Sequence, residues 1–133
     1  MTSTVWPVLH YDDPGAALRF LLGIGFAETV VVRDDVGDVV HAELSWPGGG
    51  TVLFGGTKHD DGVHAGLRAG AVYVAVASEE GVDTVHERAV TAGATVPAAP
   101  HRTAFAAGGP AYACAVTDTE GNLWTFGTYR GGG

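Results

Sequence analysis

Asp118 to Arg130 reads D-T-E-G-N-L-W-T-F-G-T-Y-R. Gly121-Asn122 tolerates positive φ and suits a tight reversal. Leu123, Trp124, Thr125 and Phe126 then alternate as a half-buried strand does. A strand leaving such a turn delivers side chains to a defined place. What this one delivers, packing or chemistry, is the question it raises.

Working backwards, Ala111–Thr117 reads as its hairpin partner, Pro100–Pro110 as a long loop and Thr95–Ala98 as a short strand. Val82, Val85, His86, Ala89 and Val90 keep helical spacing up to Gly93. Ser78-Glu79-Glu80 supplies a cap with acids in the first turn. Ala71–Ala77 reads as a strand. The same order occurs earlier in the chain. A strand over Thr4–Tyr11 precedes Asp13-Pro14, a good helix start. Ala16–Leu22 is an apolar helical stretch that stops near Gly23-Ile24-Gly25. Strands are predicted over Phe26–Arg33, Val39–Trp46 and Thr51–Phe54, with turns at Asp34–Asp38 and Pro47–Gly50. Aligning the two helix starts sets Gly25 near Gly93 and Phe54-Gly55 over Phe126-Gly127. The chain is therefore predicted to be one domain over 1–133, built of two β-α-β-β-β modules at 4–56 and 70–130. Residues 57–69, polar and glycine-rich, are read as the linker.

Composition limits the function classes. The 133 residues are enough for one compact domain, and 46% are hydrophobic, so a folded core is expected. No apolar run reaches the ~18 residues of a membrane span, and the first residues lack a basic segment followed by an apolar one. One cysteine, Cys114, permits no internal disulfide and fits a cytoplasmic setting. A net charge of −8 with only 7 Lys and Arg argues against a nucleic-acid partner. That acidity is first a solvated surface, and second an attraction for a cationic ligand.

Val8–Phe26 (V-L-H-Y-D-D-P-G-A-A-L-R-F-L-L-G-I-G-F), His41–Leu44 (H-A-E-L) and Asp118–Tyr129 together resemble the vicinal oxygen chelate superfamily, the glyoxalase and bleomycin-resistance group. The last stretch is similar to the family's D-P-x-G-N ending, with Thr119 where proline is usual. The resemblance covers almost the whole chain. It implies an α+β fold, with two paired βαβββ modules forming a curved mixed sheet around a cavity, commonly as a homodimer. In metal-dependent members four strand positions supply His, Gln or Glu to a divalent ion. Carried over one at a time, those positions fall on Trp6, Leu53, Ala71 and Thr125. One hydroxyl among four side chains cannot hold such an ion. A one-residue slip exposes the opposite face, yet Val5, Pro7, Val52, Phe54, Gly70, Val72, Trp124 and Phe126 are no better. A metal-free member with no cofactor is expected.

His41 and Glu43 lie two apart on one strand and so share a face. They are the candidate acid–base or ligand-binding pair, unless that face merely braces a neighbour. Trp6, Phe54, Phe105, Tyr112, Trp124 and Phe126 are the aromatic candidates for walling a ligand site, some of them also expected in the core. His59 and His64, with Asp60 and Asp61, read as solvated linker residues rather than a metal cluster; His86 reads as surface and His101 as loop. Cys114 is expected to act as a buried small hydrophobe. The functional expectation is binding of a small hydrophobic or cationic organic molecule, in the manner of drug sequestration. The alternative is an atypical lyase, isomerase or dioxygenase using His41 and Glu43 or a non-standard metal site.

Overall fold

The computed structural model describes residues 4–58, 69–103 and 110–131. The chain divides into two compact units, 1–70 and 71–133. In the first, β1 (Val8–Tyr11), α1 (Pro14–Ile24), β2 (Ala27–Arg33), β3 (Val39–Ser45) and β4 (Thr51–Gly56) form a sheet in the order β1-β4-β3-β2. In the second, β5 (Ala71–Ala75), α2 (Glu79–Thr91), β6 (Thr95–Arg102), β7 (Tyr112–Thr117) and β8 (Leu123–Gly127) repeat the plan as β5-β8-β7-β6. In each unit the first and last strands pair parallel and the other pairs are antiparallel. The duplicated β-α-β-β-β reading and the α+β class therefore hold.

The helices form for the reasons their ends suggest. Asp13 accepts from the Ala16 N–H at 3.0 Å and Pro14 opens α1. Ser78 does the same for Gly81 at 3.1 Å in α2. Both helices stop at a glycine in the left-handed region, Gly25 at φ 129 and Gly93 at φ 85. Each packs an apolar stripe on one face of its own sheet: Ala17, Leu18, Phe20, Leu21 and Ile24 from α1, Val82, Val85 and Ala89 from α2. Each sheet also has a second face, opposite its helix.

One turn geometry recurs at 34–38, 46–50 and 118–122. In each, the first residue's N–H donates to the fifth carbonyl and the fourth N–H returns to the first. In each the fourth residue is glycine with positive φ: Gly37 at 90, Gly49 at 112, Gly121 at 87. W-P-G-G-G at Trp46–Gly50 is thus the first unit's counterpart of D-T-E-G-N. It carries at Pro47 the proline that Thr119 replaces.

Two boundaries differ most from the sequence reading. Pro97 and Pro100 argue against a strand beyond Ala98, yet β6 continues to Arg102. It is the edge strand, where a missing N–H leaves no ladder bond unmade, and its register slips between Thr95, Ala98 and His101. His101 accordingly sits on a strand and not in a loop. At the other end β1 begins at Val8 rather than Thr4. Pro7 contributes only its carbonyl, which accepts from Leu53 at 3.0 Å.

Two helix glycines should respond oppositely to alanine. A Cβ at Gly23 meets nothing within 4 Å among the described residues, so Gly23→Ala should stabilise by about 0.5–1 kcal/mol. A Cβ at Gly81 would stand 2.5 Å from Val76 Cγ1, a buried side chain. Gly81→Ala should cost about 1–3 kcal/mol through overpacking. Urea melts of the two variants check the signs.

Candidate functional site

The open face of the first sheet is set by register. His10 and His41 both stand opposite Gly55, from β1 and β3 respectively, and Val32 continues the row beyond His41. The next row is Val8, Leu53, Glu43 and Val30. Residues directly opposite one another share a face, so His10, His41 and Glu43 lie on the side away from α1. On the other side Leu9, Phe54 and Ala42 align and are buried. A concavity of about 300 Å³ sits on the open face, lined by Val8, His10, Val40, His41, Leu53, Phe54, Gly55, Gly56 and Lys58.

Its polar wall is defined. His41 Nε2 lies 2.8 Å from Glu43 Oε2, with side-chain exposures of 40% and 28%. When the imidazole is neutral, Nε2–H donates to the carboxylate and Nδ1 is left as an acceptor. Lys58 at the rim bridges Asp34 at 2.9 Å and Asp38 at 2.7 Å, and the hydrogen bonds to Asp38 and Asp34 raise its pKa. The apolar floor comes from Val8 and Leu53.

The aromatic candidates are distributed differently from the expectation. Phe54, Trp124 and Phe126 are buried, pointing to the helix side of their own sheets. Phe54 packs edge-on to Tyr11 with ring centroids 5.2 Å apart. Tyr112 also faces its helix: its hydroxyl donates to Asp83 at 2.7 Å, and that bond leads the factors raising its pKa. Arg102 lies over the Tyr112 ring at 5.7 Å and forms a two-pronged pair with Glu79 at 2.7 and 2.9 Å. Trp6 is half-exposed ahead of β1. Phe105, His59 and His64 lie outside the described residues. Phe54, Trp124 and Phe126 therefore build cores and Tyr112 a partly exposed cluster over α2; alternation assigned each strand two faces without saying which one meets the helix. His10 and Gly55, which frame the concavity, were not among the candidates. The overlay of Gly55 on Gly127 was the signal that could have found them.

Asp118, in the turn that decides the fold, has a structural role. Its carboxylate accepts from the Glu120 and Asn122 N–H groups at 3.0 Å, from Asn122 Nδ2 at 3.0 and 3.2 Å, and from Trp124 Nε1 at 3.0 Å. The turn is thereby tied to the buried indole. Cys114 is equally inert. Burial pushes its thiol up to about 11, so it remains protonated at neutral pH, beside the Val82 carbonyl.

The four positions where metal-dependent relatives present ligands do not suit a divalent ion. Leu53 and Thr125 are half-buried and Trp6 and Ala71 exposed, with one hydroxyl among them. Among the described residues no group of three His, Cys, Asp or Glu is placed to hold a metal ion. Nor, among them, is any helix long and apolar enough to cross a membrane.

No protein-family model and no curated protein matches the sequence. Solved structures do. TioX from Micromonospora sp. ML1 is 27% identical, with a TM-score of 0.73 over 95% of this chain and 99% of that one. A glyoxylase/bleomycin resistance protein/dioxygenase domain from Frankia sp. EAN1pec is 21% identical, with a TM-score of 0.68 over 98% and 99%. Lactoylglutathione lyase from Agrobacterium tumefaciens is 16% identical, with a TM-score of 0.66 over 96% and 93%. The fold is that of the glyoxalase, bleomycin-resistance and dioxygenase group. That is the fold which the D-T-E-G-N ending and the repeated modules led one to expect.

Proposed function

We propose that this protein is a metal-free, small-molecule-binding member of that group, which sequesters a hydrophobic or cationic organic compound on the open face of its first sheet. The observation that carries the reading is the concavity of about 300 Å³, with an apolar floor at Val8 and Leu53 and in its wall His41, whose imidazole lies 2.8 Å from the Glu43 carboxylate. Such a mixture of apolar surface and a few convergent polar groups is what ligand sites generally offer. The Glu43 carboxylate and the net charge of −8 favour a cation over an anion. We read the protein as a cytoplasmic homodimer. A second reading rests on the 2.8 Å His41–Glu43 contact. A carboxylate that orients an imidazole is an acid–base device, and would suit a lyase, isomerase or dioxygenase-like reaction without the usual metal quartet.

A thermal-shift screen of hydrophobic and cationic organic compounds, run beside elemental analysis of untagged protein, tests the proposal. Several degrees of stabilisation by an organic compound, with no stoichiometric metal, is the expected result. Stoichiometric zinc, nickel or iron would overturn the metal-free reading, and a screen without a single stabilising compound would overturn sequestration.

A further inference from the structure

The two modules treat one equivalent position in opposite ways. In the second, Gly127 on β8 stands opposite Ala75 and Ala113, and Tyr73 precedes Ala75 by two on the same face. A Cβ on Gly127 would meet Tyr73 Oη at 2.8 Å, Tyr73 Cε1 at 3.2 Å and Ala113 Cβ at 3.2 Å. The glycine is therefore a seat, and the phenol edge of Tyr73 occupies it. The ring is fixed there by a 2.7 Å hydrogen bond from its hydroxyl to the Tyr129 carbonyl. Burial raises the Tyr73 pKa, keeping it a donor.

In the first module Gly55 holds that same position, opposite His10 and His41. The counterpart of Tyr73 is Val8, two residues before His10, and half of it is exposed to solvent. Among the described residues, a Cβ on Gly55 would meet only the Val40 carbonyl at 3.3 Å and His10 Cδ2 at 3.9 Å within 4 Å. A valine is too short to lie across the seat, and the concavity opens there instead.

We propose that the Gly55 seat takes the aromatic ring of a phenolic ligand, as the Gly127 seat takes the ring of Tyr73. This rests on the binding function proposed above and names the chemical class of its ligand. The space is adequate, since a cavity of roughly 150 Å³ already admits benzene and this one is about 300 Å³. The flanks suit an aromatic hydroxyl. His10 borders the seat on one side. On the other, His41 gives its Nε2–H to Glu43, which leaves Nδ1 to accept from the ligand O–H. Gly55 lets the ring approach the main chain closely, the use to which glycine in a strand is often put. A saturated ring of the same size fits a flat seat less well.

Phenol itself is the probe, with cyclohexanol as the saturated control, followed by amide chemical shifts on the full chain. Phenol is expected to shift Gly55, His10 and His41 in a saturable way, at least tenfold more tightly than cyclohexanol. V8Y, a change at an exposed position, should seat its own ring on Gly55 and weaken phenol at least tenfold. The reverse change, Y73V, should empty the Gly127 seat and raise the phenol stoichiometry from one site to two. Equal affinity for phenol and cyclohexanol, or undiminished phenol binding by V8Y, overturns the inference. If other organic compounds stabilise the protein while phenol does not, the ligand class is wrong and the binding function stands. If none does, both fall.

Discussion

Asp118→Ala should destabilise the protein by roughly 3–5 kcal/mol, which would be seen as a lowered urea midpoint at unchanged slope. The size follows from what the carboxylate holds. Asn122 Nδ2 and Trp124 Nε1 both donate to it, and both residues are almost wholly buried, at 4% and 0% exposure. Each buried donor left unmatched costs about 1–3 kcal/mol, and alanine gives neither a replacement. The main-chain N–H groups of Glu120 and Asn122 lose their acceptor too. Asp34 is the internal control. Its carboxylate accepts from Val36 and Asp38 at 3.1 and 3.0 Å in a turn of identical pattern, but those bonds are exposed. Asp34→Ala should cost only about 1 kcal/mol, because water takes over the freed amides. Equal losses at the two positions would show that the turn geometry, not the buried indole and amide, sets the value.

That contrast also explains what could be read before the structure. D-T-E-G-N and the spacing of D-D-P, Gly25 and Gly93 carry local chemistry: caps, left-handed glycines and strand alternation act over a few residues. They fixed the element order and the duplication. Edge position does not act locally. Pro97 and Pro100 are compatible with β6 only because β6 has no neighbour on one side, and that depends on strand order. The site has the same difficulty. His10, Gly55 and His41 come from three strands, brought side by side by the order β1-β4-β3. His41 and Glu43 were legible as a pair because they lie on one strand. The aromatics were ambiguous because both faces of these sheets carry apolar residues. Val8, Val30 and Val32 are exposed while Phe54 and Ala42 are buried. Hydrophobicity alone therefore does not distinguish the helix side from the open side.

Neighbouring residues on β4 allow that distinction to be measured. Phe54→Ala removes a ring that is 1% exposed and packed edge-on to Tyr11, itself fully buried. A loss of about 3–5 kcal/mol is expected, from lost burial and the cavity left behind. Leu53 points the other way, half-buried at the floor of the concavity. Leu53→Ala should cost about 1 kcal/mol or less, since much of that side chain already meets solvent. The two variants should exchange rank when phenol binding is measured at a temperature where both are folded. Leu53→Ala should weaken it severalfold, while Phe54→Ala should leave it within about twofold, because the Phe54 ring is buried against Tyr11. If Phe54→Ala were the variant that lost phenol with its fold intact, the ring would have to belong to the ligand site, and the core role assigned to it would fail. The reversed order of the two effects is the signature of a strand that serves packing with one face and recognition with the other.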